Sequence, residues 1–330
     1  MNKPVASDPA PGAAVLVVCR ADGSDGAILK RASAAAKAMR ARLIAVAVEQ
    51  PPGDLRTMAK TAGLSRDEAM ARLEHELQRR LKEACDQAEL DMSVRRVTRL
   101  GKPFLEIVRI AIEEDAGLVL KTAEDLSGPR GVFFASTDQH LLRKCPSPVW
   151  LIRSDAASES RTILAAVDVD PLTAEQPETE SALNLRILET AARIAALSDA
   201  QLHVIHAWEA PGEGLVRLWA DEEDDIEQYL DEVRDHHRAA LERFMNEARR
   251  RMDDLGLDHI RLHARVGRGD PREVIPSEVH AVQAELLVMG TIARTGVPGF
   301  IIGNTAEDVL NSVDCSVVTV KPPGYVSPVR

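Results

Sequence analysis

The segment from Gly290 to Glu307, GTIARTGVPGFIIGNTAE, has the glycines of a phosphate-binding loop, but their spacing departs from that of such a loop. It follows an apolar run, AELLVM, that is typical of a buried strand. Glycines let the backbone approach a phosphate closely, and a helix that begins after them offers free N–H groups and a positive dipole end. The spacing is not that of a Walker loop. The segment therefore has three interpretations: a working nucleotide site, a lapsed site, or a tight turn into a helix.

Three other groups of residues have metal-binding side chains, and their spacing argues against a metal site. His203 and His206 are three residues apart in a predicted strand, so their side chains point to opposite faces. His236 and His237 are adjacent in a predicted helix and diverge, because helical metal pairs need i, i+4 spacing. We interpret the acidic run from Asp221 to Asp225 as a solvated helix start. The sequence therefore predicts no metal site.

Several motifs of nucleotide-binding and hydrolytic enzymes are absent from the sequence. Neither half has G-x-G-x-x-G after its first strand, which argues against a Rossmann dehydrogenase, and nothing resembles G-x-S-x-G. The run ADGSDG follows the first strand and could bind an anion, but its two acids, Asp22 and Asp25, argue against this. We interpret the run as a capped turn.

Composition indicates a globular protein long enough for two domains. The chain has 330 residues, of which 45% are hydrophobic and 28% charged, and its formal net charge is −11. An acidic chain lacks the attraction that drives non-specific binding to nucleic acid or to anionic membrane. The start of the chain has no apolar signal region, and no apolar run reaches the about 18 residues of a transmembrane helix. The cysteines form no C-x-x-C pair and are interpreted as reduced thiols of a cytoplasmic protein: Cys19, Cys85, Cys145 and Cys315.

The two halves of the chain repeat one another. Residues Gly101–Leu142 align with Gly269–Leu310 without a gap and share nine identities over 42 positions. The starts of the halves also match, with gaps, since AVLVVCRADGS pairs with TILAAVDVDP. A polar stretch rich in Ser and Ala, RSDAASESR, separates the halves and is typical of a linker. The sequence therefore predicts an internal duplication.

Each half alternates between short apolar, β-branched runs and longer amphipathic ones. Continuous apolar strands separated by helices indicate a parallel sheet covered on both faces. We therefore expect an α/β protein of two tandem doubly wound domains, each with a five-stranded parallel sheet. The predicted organisation is a disordered tail over 1–12, domains over 13–153 and 162–323, a linker over 154–161 and a tail over 324–330. The predicted strands are Val15–Cys19, Leu43–Val48, Val94–Arg99, Leu118–Lys121, Val149–Ile152, Ile163–Val167, Leu202–Ala207, Ile260–Val266, Leu286–Met289 and Val317–Val320.

Four blocks of the second half together resemble the universal stress protein family. They are ILAAVDVD, LHVIHAWE, VGRGDPREVI and LLVMGTIARTGVPGFIIGNTAEDVLNSVDCSVVTVKP. The resemblance covers nearly the whole chain outside the two tails and is weaker in the first half. Two such domains in one chain are similar to the tandem branch of that family. The resemblance implies the fold already expected, which is also called adenine nucleotide alpha hydrolase-like, and an intracellular stress-response role.

In one branch the family implies ATP bound at a loop of the form G-x2-G-x9-G-[S/T]. Gly290 and Gly303 match the first and third glycines of that loop. Ala293 replaces the second glycine, and its Cβ would face the phosphate; a positive φ there would cost about 1 kcal/mol. Asn304 replaces the Ser/Thr and keeps a hydrogen-bond donor of different reach, with Thr305 next to it. The resemblance thus implies a candidate, degenerate site.

Other residues complete the site that the resemblance implies in the second domain. Asp168 ends the first strand, where the family has its ribose-contacting acid, and Ala207 ends the second strand. Met289 precedes the first glycine, as in nucleotide-binding members, and Arg294 could place a positive charge nearby. The candidate cofactor is ATP with Mg²⁺.

In the first half every glycine of the motif is gone. The same columns hold Thr122, Asp125, Ala135 and Ser136, and the strand-end acid becomes Arg20. An Asp in a phosphate cradle would repel the ligand, so we expect this half to bind no nucleotide in the family's way. The resemblance implies that it instead pairs with the second domain as an internal pseudo-dimer.

The resulting hypothesis is a cytoplasmic, non-enzymatic stress-response or regulatory protein that aids survival under oxidants, starvation or DNA damage. Its expected partners are the other domain, a second copy of the chain in a homodimer and an unknown protein, but neither nucleic acid nor membrane. One rival is a nucleotide-hydrolysing or nucleotidyl-transferring enzyme on the same fold. Another is a carrier of a small apolar ligand between the strand edges and the long helices of the second half.

Overall fold

The apolar runs of both halves form strands in the computed structural model, which describes residues 14–91, 93–124, 136–153, 160–170, 177–220, 223–291 and 303–329. The described residues form two units. Those up to 153 and from 325 onward belong to the first unit, and those from 160 to 324 belong to the second.

In the first unit, strands and helices alternate around one parallel sheet. The strands lie side by side in the order β3-β2-β1-β4-β5, and each pairs in parallel with its neighbours. The elements are β1 (Ala14–Cys19), α1 (Gly26–Ala38), β2 (Arg42–Glu49), α2 (Leu55–Thr61), α3 (Arg66–Gln87), β3 (Arg95–Leu100), α4 (Pro103–Glu113), β4 (Ala116–Thr122), α5 (Ser136–Lys144) and β5 (Val149–Ile152).

The second unit repeats this arrangement with a sheet in the order β10-β9-β6-β7-β8, again with parallel pairs. Its elements are β6 (Thr162–Ala166), α6 (Pro177–Ala195), β7 (Gln201–Trp208), α7 (Glu213–Trp219), α8 (Glu223–Asp254), β8 (Leu262–Arg268), α9 (Pro271–Ala281), β9 (Leu286–Gly290), α10 (Asn304–Ser312) and β10 (Ser316–Val320). The predicted fold of tandem doubly wound five-stranded domains is confirmed.

Burial on both faces of the sheet explains why these runs are apolar along their length. All six residues of β1 are buried, as are all five of β10, because helices cover both faces of a doubly wound parallel sheet. In the first unit α1 packs with α3, and α4 packs with α5. In the second unit α6 packs with α8, and α9 packs with α10. Each sheet thus lies between two helix pairs.

Local capping signals fix several helix starts. Ser65 and Glu68 form a capping box at the start of α3. The Asp270 carboxylate accepts the Arg272 N–H at 2.8 Å, and Pro271 occupies the first turn of α9, as the sequence predicts. Of the acidic run predicted as a helix start, Glu223, Asp224 and Asp225 lie in the first turn of α8, and residues 221–222 lie outside the described residues.

The observed strand limits differ from the predicted ones by at most two residues, and two short helices were not predicted. The largest shift is in β8, which spans Leu262–Arg268 rather than Ile260–Val266. The unpredicted helices are α2 and α7, each of 7 residues. Helices of two turns show too little periodicity to stand out from a loop.

The last described residues contact the first unit. The Tyr325 hydroxyl donates to the Arg143 carbonyl at 3.0 Å, and the Ser327 hydroxyl donates to the Lys144 carbonyl at 2.7 Å. These bonds satisfy carbonyls at the C-terminal end of α5. All four cysteines are buried free thiols. Within the described ranges, no helix combines the length and the apolar composition needed to cross a membrane.

Candidate functional site

The candidate residues of the second unit meet where the strand order reverses. β6 lies between β9 and β7, with Ala166 opposite both Met289 and Ile205. In open α/β sheets, ligands bind outside the carboxyl ends of the strands at such a switch point. The ends of β6, β7 and β9 therefore define one edge at which a ligand can be held.

Asp168 stands exposed just beyond the end of β6. Its backbone is held by Asn184, a buried residue of α6, whose amide nitrogen donates to the Asp168 carbonyl at 2.6 Å. The Asn184 side-chain oxygen in turn accepts the Asp168 N–H at 3.0 Å. This two-way clamp fixes the backbone, while the exposed Asp168 carboxylate accepts the Asp170 N–H at 3.4 Å through Oδ1.

Gly290, at the end of β9, packs closely against α6. A Cβ at this position would lie 3.0 Å from Leu183 Cδ2, so the leucine side chain would have to shift by a few tenths of an ångström to accommodate it. Met289 is buried in the strand. The first glycine of the predicted loop therefore has a structural reason that is independent of any phosphate.

Thr291 and Gly303 flank segment 292–302 and bond to one another. The Gly303 N–H donates to the Thr291 carbonyl at 3.1 Å, so α10 begins at the same edge at which β9 ends. No side chain among the described residues caps α10 at Gly303. Thr291 also accepts a hydrogen bond at its hydroxyl from the ammonium of Lys321, and both residues are buried. A helix N-terminus and a buried cation thus lie next to the segment.

The structure brings most of the predicted site together. Asp168 follows β6, Ala207 lies near the end of β7 opposite Gly267, and Gly290 ends β9, so all three share one sheet edge. The start of α10 adds Gly303, a half-buried Thr305 and an exposed Asn304. Ala293 and Arg294 lie outside the described residues.

A buried pair of histidines lies beneath Asp168, and the sequence did not reveal it. His206 Nε2 of β7 lies 2.9 Å from His237 Nδ1 of α8, with only 1% and 2% of the two residues exposed. His206 Nδ1 lies 3.4 Å from both the Val167 carbonyl and the Val169 N–H. Burial lowers the pKa of both imidazoles below the ordinary value, while the Asp168 and Asp170 carboxylates act in the opposite direction.

The remaining histidines confirm the predicted geometry. His203 faces away from His206 and stacks on His263 of β8, with ring centroids 5.1 Å apart. His236 is exposed whereas His237 is buried, so this adjacent pair diverges. Within the described ranges, no three His, Cys, Asp or Glu side chains converge on a point where a metal ion could bind.

In the first unit, side chains bridge the corresponding crevice. Arg20 replaces the strand-end acid, and its guanidinium donates to the Ala123 carbonyl at 2.9 Å, across the boundary between β1 and β4. The Asp25 carboxylate accepts the N–H groups of Arg20 and Ala21 at 2.9 and 2.8 Å. The run ADGSDG is therefore a capped turn, as predicted.

A buried ion pair lies next to this bridge. The Lys121 ammonium is 2.8 Å from Asp138 Oδ1 and 2.9 Å from Glu124 Oε1, and Asp138 is fully buried. Burial raises the pKa of Asp138, while Lys121 acts in the opposite direction. Of the motif columns, Thr122 ends β4 and Ser136 begins α5. Asp125 and Ala135 lie outside the described residues.

A cavity between α8 and β8 bears on the alternative of an apolar ligand. Its volume is about 710 Å³. Leu241, Met245 and Val266 contribute apolar surface, but Arg238 and Arg249 also line it. The mixed lining does not favour a purely apolar ligand.

Sequence reasoning missed the buried polar contacts, although some of them leave a signal. Lys121 interrupts the apolar run GLVLKT, and a charged residue in a buried strand requires a partner. Asn184 likewise lies among the apolar residues of α6. The partner of such a residue is distant in the chain, so periodicity alone does not identify it.

Comparisons with known proteins agree with this architecture. The model of the Universal stress protein family matches residues 14–153 and again 159–321. Universal stress protein E of Escherichia coli strain K12 is 32% identical over 232 residues, which are 70% of this chain and 68% of that protein. Its homolog in Haemophilus influenzae is 31% identical over 62% of each chain.

Solved structures are similar over almost the full length. A protein of Pseudomonas aeruginosa UCBPP-PA14, provisionally assigned to the universal stress proteins, superposes with a TM-score of 0.61 at 25% identity and covers 94% of this chain and 93% of its own. A universal stress protein of Archaeoglobus fulgidus gives a TM-score of 0.57 at 16% identity, with 93% and 98% covered, which shows the fold alone.

Proposed function

The chain belongs to the universal stress protein family, and from this premise we propose that its second unit binds an adenine nucleotide while its first unit does not. Membership supports a stress-response role. In the proposal, the nucleotide occupies the edge formed by the ends of β6, β7 and β9. Asp168 binds the ribose hydroxyls, and the start of α10 faces the phosphates.

The contrast between the equivalent crevices of the two units carries this proposal. In the first unit, Lys121 and Asp138 place a buried ion pair at the end of β4. In the aligned positions of the second unit stand Met289 and Ala306, which have no charge. The strand-end residue changes from Arg20, which bridges the first crevice, to an exposed Asp168.

Electrostatics of the second unit supports binding of an anion beside segment 292–302. The N-terminus of α10 offers backbone N–H groups without a side-chain cap among the described residues. The buried Lys321 ammonium at Thr291 adds a positive charge at the base of the segment. ATP, when bound, would supply the negative phosphates that these groups attract, and Mg²⁺ would accompany them.

We propose a regulatory rather than a catalytic role for the bound nucleotide. Hydrolysis needs a general base or a metal ion positioned at the phosphates, and this proposal assigns neither role to a described residue. In this proposal, the nucleotide-bound state of the chain acts as a signal to a partner protein during oxidative stress, starvation or DNA damage. A deletion strain that survives all three treatments like its parent would contradict this role.

Calorimetric titration of the purified chain with ATP and Mg²⁺ tests the binding proposal. We expect one nucleotide per chain. Asp168→Asn should weaken binding about 10- to 100-fold, because a charged hydrogen bond contributes about 1.5–3 kcal/mol. Asp22→Asn is the matched control: it changes an exposed acid after β1 of the first unit and should leave the affinity unchanged.

The double variant Ala293→Gly, Asn304→Ser separates a lapsed site from a turn. Binding by the variant but not by the natural chain indicates a lapsed site on an intact framework. Absence of binding by both leaves the segment as a turn into α10 and contradicts the proposal. Two nucleotides per chain would also contradict it, since the first unit is proposed to bind none.

The assembly and the location of the protein remain predictions. Chemical cross-linking between the units tests the internal pseudo-dimer, and sedimentation tests the homodimer. Fractionation of cells tests the cytoplasmic location. These experiments are independent of nucleotide binding.

A further inference from the structure

The His206–His237 pair connects two elements of the second unit to the backbone that carries Asp168. His206 Nε2 lies 2.9 Å from His237 Nδ1, and His206 Nδ1 contacts the backbone on both sides of Asp168. The two residues are 1% and 2% exposed, so water does not compete for these bonds. Trp208 packs on His237, with ring centroids 5.6 Å apart.

We propose that this pair is a positioning device that makes nucleotide affinity depend on pH: protonation of the pair displaces Asp168 and weakens binding. The inference rests on the proposed nucleotide site. His206 and His237 act through Asp168 and are not themselves proposed to touch the ligand.

The neutral His206–His237 pair can hold the backbone from Val167 to Val169 in either of two tautomers. If His206 carries its proton on Nε2, it donates to His237, and its Nδ1 accepts the Val169 N–H. If the proton is on Nδ1, it donates to the Val167 carbonyl, and Nε2 accepts from His237. Both forms keep one proton between the rings and one bond to the backbone around Asp168.

One added proton removes this freedom. A cationic His206 has an N–H on both ring nitrogens, so it keeps the bond to the Val167 carbonyl but excludes the form of the pair in which Nδ1 accepts the Val169 N–H. The carboxylates of Asp168 and Asp170 are the acids that act on the pair, and the imidazole of His236 lies next to His237. A cationic pair therefore attracts the Asp168 carboxylate away from the ribose that it is proposed to bind.

Because nucleotide binding and protonation of the pair are thermodynamically linked, each can be measured through its effect on the other. Binding that requires the neutral pair must release a proton when the pair is charged, and protonation must lower the affinity by the same free energy. Because burial lowers the pKa of both imidazoles below 6.5, the change is expected on the acid side of that value.

Titration with ATP and Mg²⁺ at about pH 7.5 and about pH 5.5 tests the inference. The wild-type chain is compared with the double variant His206→Gln, His237→Asn, whose amides replace Nε2 and Nδ1 without titrating. Protonation of the ATP phosphates changes the affinity of the wild type and of each variant equally, so this contribution cancels when their affinities are compared. We expect the loss of affinity on acidification to be about tenfold larger in the wild type. The matched control His236→Asn removes the exposed neighbouring imidazole and should behave as the wild type.

Each outcome decides between the two proposals. Binding with the same pH dependence in wild type and double variant overturns this inference and leaves the nucleotide site standing. Absence of binding at both pH values overturns the nucleotide site and this inference with it. If the double variant fails to fold, the inference is tested instead by NMR, which follows the Val169 amide of the ligand-free wild type as the pH is lowered. A Val169 amide that titrates with the imidazoles supports the inference, and an amide that does not move overturns it.

Discussion

At the residue scale, the two units differ at one pair of equivalent buried positions. Lys121 and Asp138 form a buried ion pair in the first unit, and Met289 and Ala306 replace them in the second. Removing one partner of a buried pair leaves an uncompensated charge, whereas replacing both by apolar residues is often neutral. The identity of the pair therefore matters less for stability than its completeness.

We predict that Lys121→Met destabilises the first unit by about 3–5 kcal/mol, because Asp138 loses the cation that offsets its burial. Urea denaturation measures the change. The double variant Lys121→Met, Asp138→Ala, which copies the second unit, should recover most of the loss. A double variant as unstable as the single one would show that the carboxylate has a separate structural role, through its bond to the Glu124 N–H.

At the element scale, glycines set how closely helices approach the sheet of the second unit. A Cβ at Gly267 of β8 would lie 2.5 Å from Val274 Cγ1 of α9, and one at Gly290 would lie 3.0 Å from Leu183 Cδ2 of α6. Real Cβ atoms do not come as close as the first of these distances, so the helix or the side chain must shift. The position of α9 therefore depends on the missing side chain of Gly267, whereas α6 is only tightly packed over Gly290.

We predict that Gly267→Ala destabilises the second unit by about 1–3 kcal/mol through overpacking against α9. Thermal or urea unfolding measures the loss. Adding Val274→Ala removes the clashing methyl groups and should restore part of the stability. Gly214→Ala is the matched control, since a Cβ there meets no atom within 4 Å. Equal losses in Gly267→Ala and Gly214→Ala would rule out the packing explanation.

At the scale of the whole molecule, the two units share an architecture, and the buried histidines of the second unit predict a pH response that the first unit shares less. The second unit buries the neutral pair His206 and His237, whose pKa values burial lowers below 6.5. As the pH falls below that value, the unfolded chain binds more protons than the folded one. Stability of the second unit therefore decreases on acidification and is regained as the pH rises above 6.5.

We predict that amide exchange in β6, β7 and α8 accelerates between about pH 7 and about pH 5.5, after correction for the intrinsic rate. Exchange in β1 and β4 of the first unit should change less over this range. Hydrogen exchange followed by mass spectrometry resolves the two units. The variant His206→Gln, His237→Asn should lose the pH dependence, and its persistence there would show that other groups cause it.

How much the sequence predicts can be judged from particular elements. The apolar runs predict all strands of both sheets within two residues, since a strand buried on both faces is apolar along its length. The Asp-Pro pair at Asp270 predicts the start of α9, because a cap and its helix are adjacent in the chain. The helices α2 and α7 were not predicted, because a helix of two turns shows little periodicity in its sequence.

The sequence by itself determined the duplication and the α/β class, through self-similarity and local periodicity. The candidate nucleotide residues are implied by the family resemblance, and their role remains a prediction. Only the tertiary structure decided which polar groups meet: His206 with His237, Lys121 with Asp138, and Asn184 with the backbone of Asp168. The members of these pairs are separated by 31, 17 and 16 positions in the chain, so their contacts depend on helix packing rather than on any local pattern.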